Sequence, residues 1–188
     1  ATFEIPEDIK NPAVIDEDRE ELVCQRIEDN KAIFFAKGVP ANGHKSFKIV
    51  EATKVSDEVV NVTENGAENK FFKIKLNEKG QIVSFINKKA NREILKEGAI
   101  GNELQAFEDK PMCFDNWDID IYYKEKMWKV DDVQSIEVIE RGPVRSTLKI
   151  ERKFLESIIV QKIYVYNDLE RVDFDTYTDW KECDVLLK

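Results

Sequence analysis

The residues with the most chemical promise lie in one run, Gly101-Asn-Glu-Leu-Gln-Ala-Phe-Glu-Asp-Lys-Pro-Met-Cys-Phe-Asp-Asn-Trp-Asp-Ile-Asp-Ile-Tyr-Tyr123. It sets Glu108, Asp109, Asp115, Asp118 and Asp120 among Phe107, Phe114, Trp117, Tyr122 and Tyr123. Aromatic faces beside carboxylates suit sugar recognition, because ring faces stack on pyranose C–H groups and carboxylates accept hydroxyl hydrogen bonds. A plainer reading has the aromatics plugging the end of a sandwich while the acids accept backbone N–H groups. A glycosidase pair would need carboxyls about 5–5.5 Å apart for retention, or about 6.5–9.5 Å for inversion. Asp115 with Asp118, or Asp118 with Asp120, could meet such spacings in a loop, but so could many acids in a chain holding 38 of them. No catalytic pair is assigned here.

Other polar residues read more simply. Arg141-Gly-Pro-Val-Arg145 is a turn feeding a strand, and Arg145 is expected to pair with a carboxylate. Arg171 and Asp173, two apart and so on one strand face, are expected to form a weak surface ion pair. His44 falls in a turn. It is the single histidine, and Cys24, Cys113 and Cys183 are widely spaced. A thiolate or imidazole metal site needs several such ligands converging, so no metal ligand is assigned in this chain. Three cysteines without a close pair suit reduced thiols in a cytoplasmic protein.

The elements that must position these residues are strands. Residues 1–20 are acidic and irregular, and read as a lead-in or linker. From Leu22 short β-branched and aromatic words alternate with turn formers, so residues 21–64 are expected to hold part of a small β domain. Residues 65–188 are expected to form a larger β-sandwich. There Phe72, Ile74 and Leu76 alternate with Lys73 and Lys75, and Asn77-Glu-Lys-Gly80 turns into QIVSFI. WKVDDVQSIEVIE, PVRSTLKIERKF, SIIVQKIYVYN and RVDFDTYTDW read as further long strands. Strand alternation fails between Asp109 and Asp118, which marks a structured loop. The end, Asp184-Val-Leu-Leu-Lys188, reads as a strand cut short. The fold expected is all-β, a mostly antiparallel sandwich.

Composition excludes several functions. The net charge of −9 and the absence of basic stretches interleaved with aromatics argue against a nucleic-acid partner. Nothing in the sequence has the length and apolarity of a membrane span, and the start has neither a basic nor an apolar leader region.

The run NELQAFEDKPMCFDNWDIDIYY resembles the N-x-L-Q-x-F-x-D-x-P segment and following W-D-I-x-x-Y-Y of bacterial and cytosolic-type α-mannosidases of glycoside hydrolase family 38. ENKFFKIKLNEKGQIVSFINKKANREIL, ERGPVRSTLKIERKF and NDLERVDFDTYTDWKE are similar to other segments of that family, in the same order. VPANGHKSFKI is similar to a family turn, with His44 where tyrosine is usual.

The resemblance implies a C-terminal portion with a galactose mutarotase-like supersandwich. It also implies that catalysis belongs elsewhere. The nucleophile, acid/base and divalent metal, zinc by expectation, would sit in an N-terminal α/β-barrel, followed by a helical bundle. Those parts of the same polypeptide are the expected partners, with a mannose-containing oligosaccharide as substrate; homo-oligomerisation of the parent stays open. On that reading Asp115, Trp117, Asp118 and Tyr122 form a barrel-facing edge that helps line the substrate cleft. Two rivals remain: a stand-alone carbohydrate-binding module, and a mutarotase-like epimerase, which a single histidine in a turn disfavours.

Overall fold

The structure, a computed structural model, describes residues 1–27, 30–53, 56, 58–114, 117, 119 and 121–179. The first six strands are β1 (Thr2–Glu4), β2 (Pro12–Ile15), β3 (Glu21–Leu22), β4 (Cys24–Ile27), β5 (Lys31–Phe34) and β6 (Lys48–Glu51). They make two small antiparallel sheets, ordered β1-β5-β4 and β3-β2-β6. The stretch read above as an irregular lead-in therefore carries two strands. Its short apolar words are the cause: Ala13 and Val14 are buried, and Thr2–Glu4 pairs with Lys31–Ile33. Most of the surrounding acids are exposed, whereas the Asp16 side chain is tucked into its turn, accepting the N–H groups of Asp18 and Glu20 and pairing with Lys45.

Five further strands follow: β7 (Asn61–Thr63), β8 (Gly66–Glu68), β9 (Phe72–Leu76), β10 (Ile82–Asn87) and β11 (Arg92–Glu93). They pair in simple antiparallel sequence to form one sheet. After β12 (Gln105–Phe107) and β13 (Met127–Lys129), a second sheet is built from β14 (Asp132–Glu140), β15 (Arg145–Phe154), β16 (Ser157–Tyr166) and β17 (Val172–Asp179). The two sheets face each other as a sandwich. Phe72, Ile74 and Leu76 are buried while Lys73 and Lys75 are exposed, as the period-two pattern requires. They meet Leu148, Ile150, Ile163 and Val165 from the other sheet in one core. The fold is all-β and antiparallel.

Two local outcomes depart from the strand pattern. WKVDDVQSIEVIE is divided at Val130 and Asp131 between the two-stranded pair and the four-stranded sheet. Phe174, on the inward parity of β17, stays 45% exposed. β17 has one strand neighbour among the described residues, and Phe174 lies at a narrow apolar opening beside Ile74, Ile163 and Val165.

The turn after β9 is fixed by its own chemistry. The Asn77 side-chain oxygen accepts the N–H groups of Lys79 and Gln81, each at 3.0 Å, and Gly80 takes a φ of 66°. A β-carbon at Gly80 would lie 2.7 Å from both Arg152 Nη2 and Ile150 Cδ1, so this turn needs glycine twice over. No helix among the described residues is long and apolar enough to cross a membrane.

Candidate functional site: an exposed aromatic excursion

β12 and β13 pair antiparallel, Gln105 opposite Lys129 and Phe107 opposite Met127. They form a short two-stranded stalk, and none of the described residues between them is buried. The Glu108 N–H donates to the Lys126 carbonyl at 3.0 Å, which extends the stalk by one step. Its carboxylate also accepts from Lys126 at 2.6 Å and pairs with Lys110 at 3.2 Å. Those two lysines, Lys126 foremost, hold the Glu108 carboxyl below its ordinary range, which suits a strut and disfavours a general acid. The Phe107 and Tyr123 rings meet edge to face at 5.3 Å. Trp128 packs edge to face on Phe154 at the β15–β16 hairpin, and Lys126 Nζ lies over the Trp128 ring at 4.9 Å from its centroid.

Beyond the stalk the apolar residues turn outward. Trp117 is 91% exposed, Phe114 75% and Tyr122 51%, and Met112, Ile119 and Ile121 are exposed with them. The Trp117 N–H donates to the Phe114 carbonyl at 2.7 Å. Phe114 takes a φ of 60°, a left-handed conformation that costs a bulky residue about 1–2 kcal/mol. Residues 121–125 close the excursion as one 3-10 turn. Six large apolar side chains are thus exposed within one short segment, a concentration that suits an interaction surface.

Of the four residues singled out in the sequence, Trp117 and Tyr122 lie in this segment, both exposed. Asp115 and Asp118 lie outside the described residues. Phe114, named in the sequence among the aromatics of this run, is exposed with them, whereas sequence reasoning missed Met112, Ile119 and Ile121. For Met112 the signal was present, since it is apolar in the span 109–118 where alternation fails; Ile119 and Ile121 lie just past that span.

The remaining candidates have structural engagements. Arg145 pairs with Glu140 at 2.9 Å and stacks over Tyr164. Glu140 also accepts from Thr147 at 2.5 Å and Gln25 at 2.7 Å. Arg171 pairs with Asp173 at 2.6 Å on an exposed edge. His44 is exposed beside a turn. A cleft of about 830 Å³ opens against the small sheets, bordered by Glu21, Cys24, Arg26, Thr53 and Arg141. Three of its polar side chains are engaged in the fold, Arg26 with Asn30 and the Lys10 carbonyl, Glu21 with Thr53, and Arg141 with the Val62 carbonyl. Among the described residues no cluster of three His, Cys, Asp or Glu side chains could hold a metal ion.

The family model described as "Glycosyl hydrolases family 38 C-terminal domain" matches residues 67–188, which take in the excursion and the four-stranded sheet. Alpha-mannosidase G of Dictyostelium discoideum is 31% identical over 166 residues, 85% of this chain and 14% of that protein. Alpha-mannosidase 2C1 of Homo sapiens is 28% identical over 126 residues, 64% of this chain and 12% of that protein. The chain thus spans about one seventh or less of the length of these relatives.

Proposed function

This chain belongs to the glycosyl hydrolase family 38 C-terminal domain family, and on that premise we propose that it is the non-catalytic β portion of a longer, cytoplasmic α-mannosidase polypeptide. The parent hydrolyses terminal α-D-mannosyl residues with retention, using carboxyl groups and a divalent metal, zinc by expectation, held in its barrel. No step of that reaction is assigned to the described residues. In this reading the β portion supports the barrel and helical bundle and is inactive alone.

The observation that carries this reading is the aromatic segment on its short stalk. Six large apolar side chains exposed within one segment support a surface that meets a partner. In the proposed arrangement that surface docks on the rest of the parent, and Asp115, Trp117, Asp118 and Tyr122 line the edge of the cleft that receives a mannose-containing oligosaccharide. The same exposed tryptophan also favours a second reading, a stand-alone carbohydrate-binding module.

A titration separates the two. The 188-residue chain is titrated with α-mannobiose and followed by tryptophan fluorescence, with Trp117→Ala as control. The preferred reading expects no saturable change up to tens of millimolar. A saturable change that vanishes in the variant would establish the binding module instead.

A further inference from the structure

We infer that Arg152, acting through Asn102 and the turn at residues 77–80, is the positioning residue for the excursion that carries Trp117 and Tyr122. The inference rests on the reading that this excursion is the working surface, and it concerns what holds that surface in place.

Arg152 stands on β15 with Leu148 and Ile150 on the inward face, and is 1% exposed. Its Nη2 donates to the carbonyls of Lys79 at 3.0 Å and Gly80 at 3.2 Å, and its Nη1 to Gln161 Oε1 at 3.3 Å. All three acceptors are neutral, and no carboxylate among the described residues pairs with it. Burial lowers the guanidinium to about 10, which leaves it cationic near neutrality. A buried cation served by neutral oxygens is a costly arrangement for a core to keep. A core filler of similar volume would have no need of it.

What the cation holds is the outgoing end of the excursion. Gln161 and Asn102 exchange two amide hydrogen bonds, at 2.8 and 3.0 Å. Asn102 also donates to the Gly80 carbonyl at 3.0 Å, the same oxygen that Arg152 grips. Asn102 has a φ of 56°, a conformation asparagine tolerates, and Gly101 is bridged to Ile82 in both directions at 2.9 Å. The returning end closes on the same turn. Lys79 reaches Asp131 at 2.5 Å, while Lys129 joins Glu103 at 2.8 Å and so ties the two ends together. One four-residue turn, seated on Arg152, therefore fixes both ends of the excursion.

Amide hydrogen exchange on the 188-residue chain tests this. Asn102→Gly keeps the left-handed backbone and removes the amide; Arg152→Lys keeps the charge and removes the fork. Exchange in β12 and β13 is expected to speed up at least about tenfold in either variant, with β15 and β16 within about twofold of the parent chain. Unchanged exchange in β12 and β13 would overturn the inference. Equal loosening of both regions would overturn it too, because that is the result of a general core role. Should Arg152→Lys fail to fold, Asn102→Gly and Lys79→Ala decide the matter by the same comparison. No substrate is involved, so failure here leaves the α-mannosidase reading standing, and failure of that reading leaves the exchange result intact.

Discussion

Gln25 occupies the space that a side chain on Gly142 would need: a β-carbon there would lie 2.2 Å from Gln25 Cδ and 2.3 Å from its Oε1. The contact joins the small sheets to the sandwich. Gln25 is buried, its Oε1 accepts the N–H groups of Val144 at 3.0 Å and Arg145 at 2.8 Å, and its Nε2 donates to Glu140. The glycine between Arg141 and Pro143 is thus required by a residue more than a hundred positions away.

Gly142→Ala is expected to displace that amide and to cost about 2–4 kcal/mol. Urea unfolding reads the loss. On a Gln25→Ala background the same substitution should cost much less, since the space is then empty. Additive costs would mean that the two residues do not compete for that space.

Strand parity made much of this fold legible. The alternation over residues 72–76 and the turn at 77–80 were readable because a half-buried strand has a period of two and asparagine and glycine have specific turn chemistry. Arg152 was readable in principle, since it shares parity with Leu148 and Ile150, yet the run Glu-Arg-Lys disguised it as surface. The strands at Thr2–Glu4 and Pro12–Ile15 were not readable, because three or four residues among acids carry too little pattern. The break at Val130 is set by pairing of Met127–Lys129 with Gln105–Phe107, a long-range contact that local sequence cannot display. The site was legible as a place and less so as a surface: the failed alternation located it, whereas the outward turn of Phe114 depends on its backbone conformation.

The two described cysteines should differ in reactivity. Burial, with Glu21 nearby, pushes the Cys24 thiol from 9.0 up to about 12, whereas Cys113 is exposed. At pH 8, alkylation followed by mass spectrometry should label Cys113 on the native chain, and Cys24 only after unfolding. Equal labelling would contradict the burial of Cys24. The same shift has a consequence for stability. The unfolded thiol ionises first, so the contribution of Cys24 is full below about pH 9 and is lost as pH rises toward 12. Cys24→Ala should flatten that alkaline decline.

On the acid side the sign reverses. The Asp16 carboxyl is held low chiefly by the Glu20 N–H and also by Lys45, and Glu51 chiefly by the Lys10 N–H. Groups lowered in the folded state stabilise it above their unfolded value and lose that contribution as pH falls through the folded one. Stability should therefore decline below about pH 4. Asp16→Asn with Glu51→Gln should make the decline shallower in thermal melts between about pH 5 and pH 2. An acid limb of unchanged slope would show that these carboxylates do not drive it.

Trp117 offers the most direct measurement, because its ring is 91% exposed and its loss leaves the sandwich core untouched. Trp117→Ala should leave the unfolding midpoint of the 188-residue chain unchanged, within about 0.5 kcal/mol of stability. In the full-length polypeptide, kcat/KM for a chromogenic α-mannoside should fall at least about tenfold in the same variant. A kcat/KM within about twofold of the unsubstituted enzyme would contradict the account, and would leave the aromatic segment without a part in the reaction.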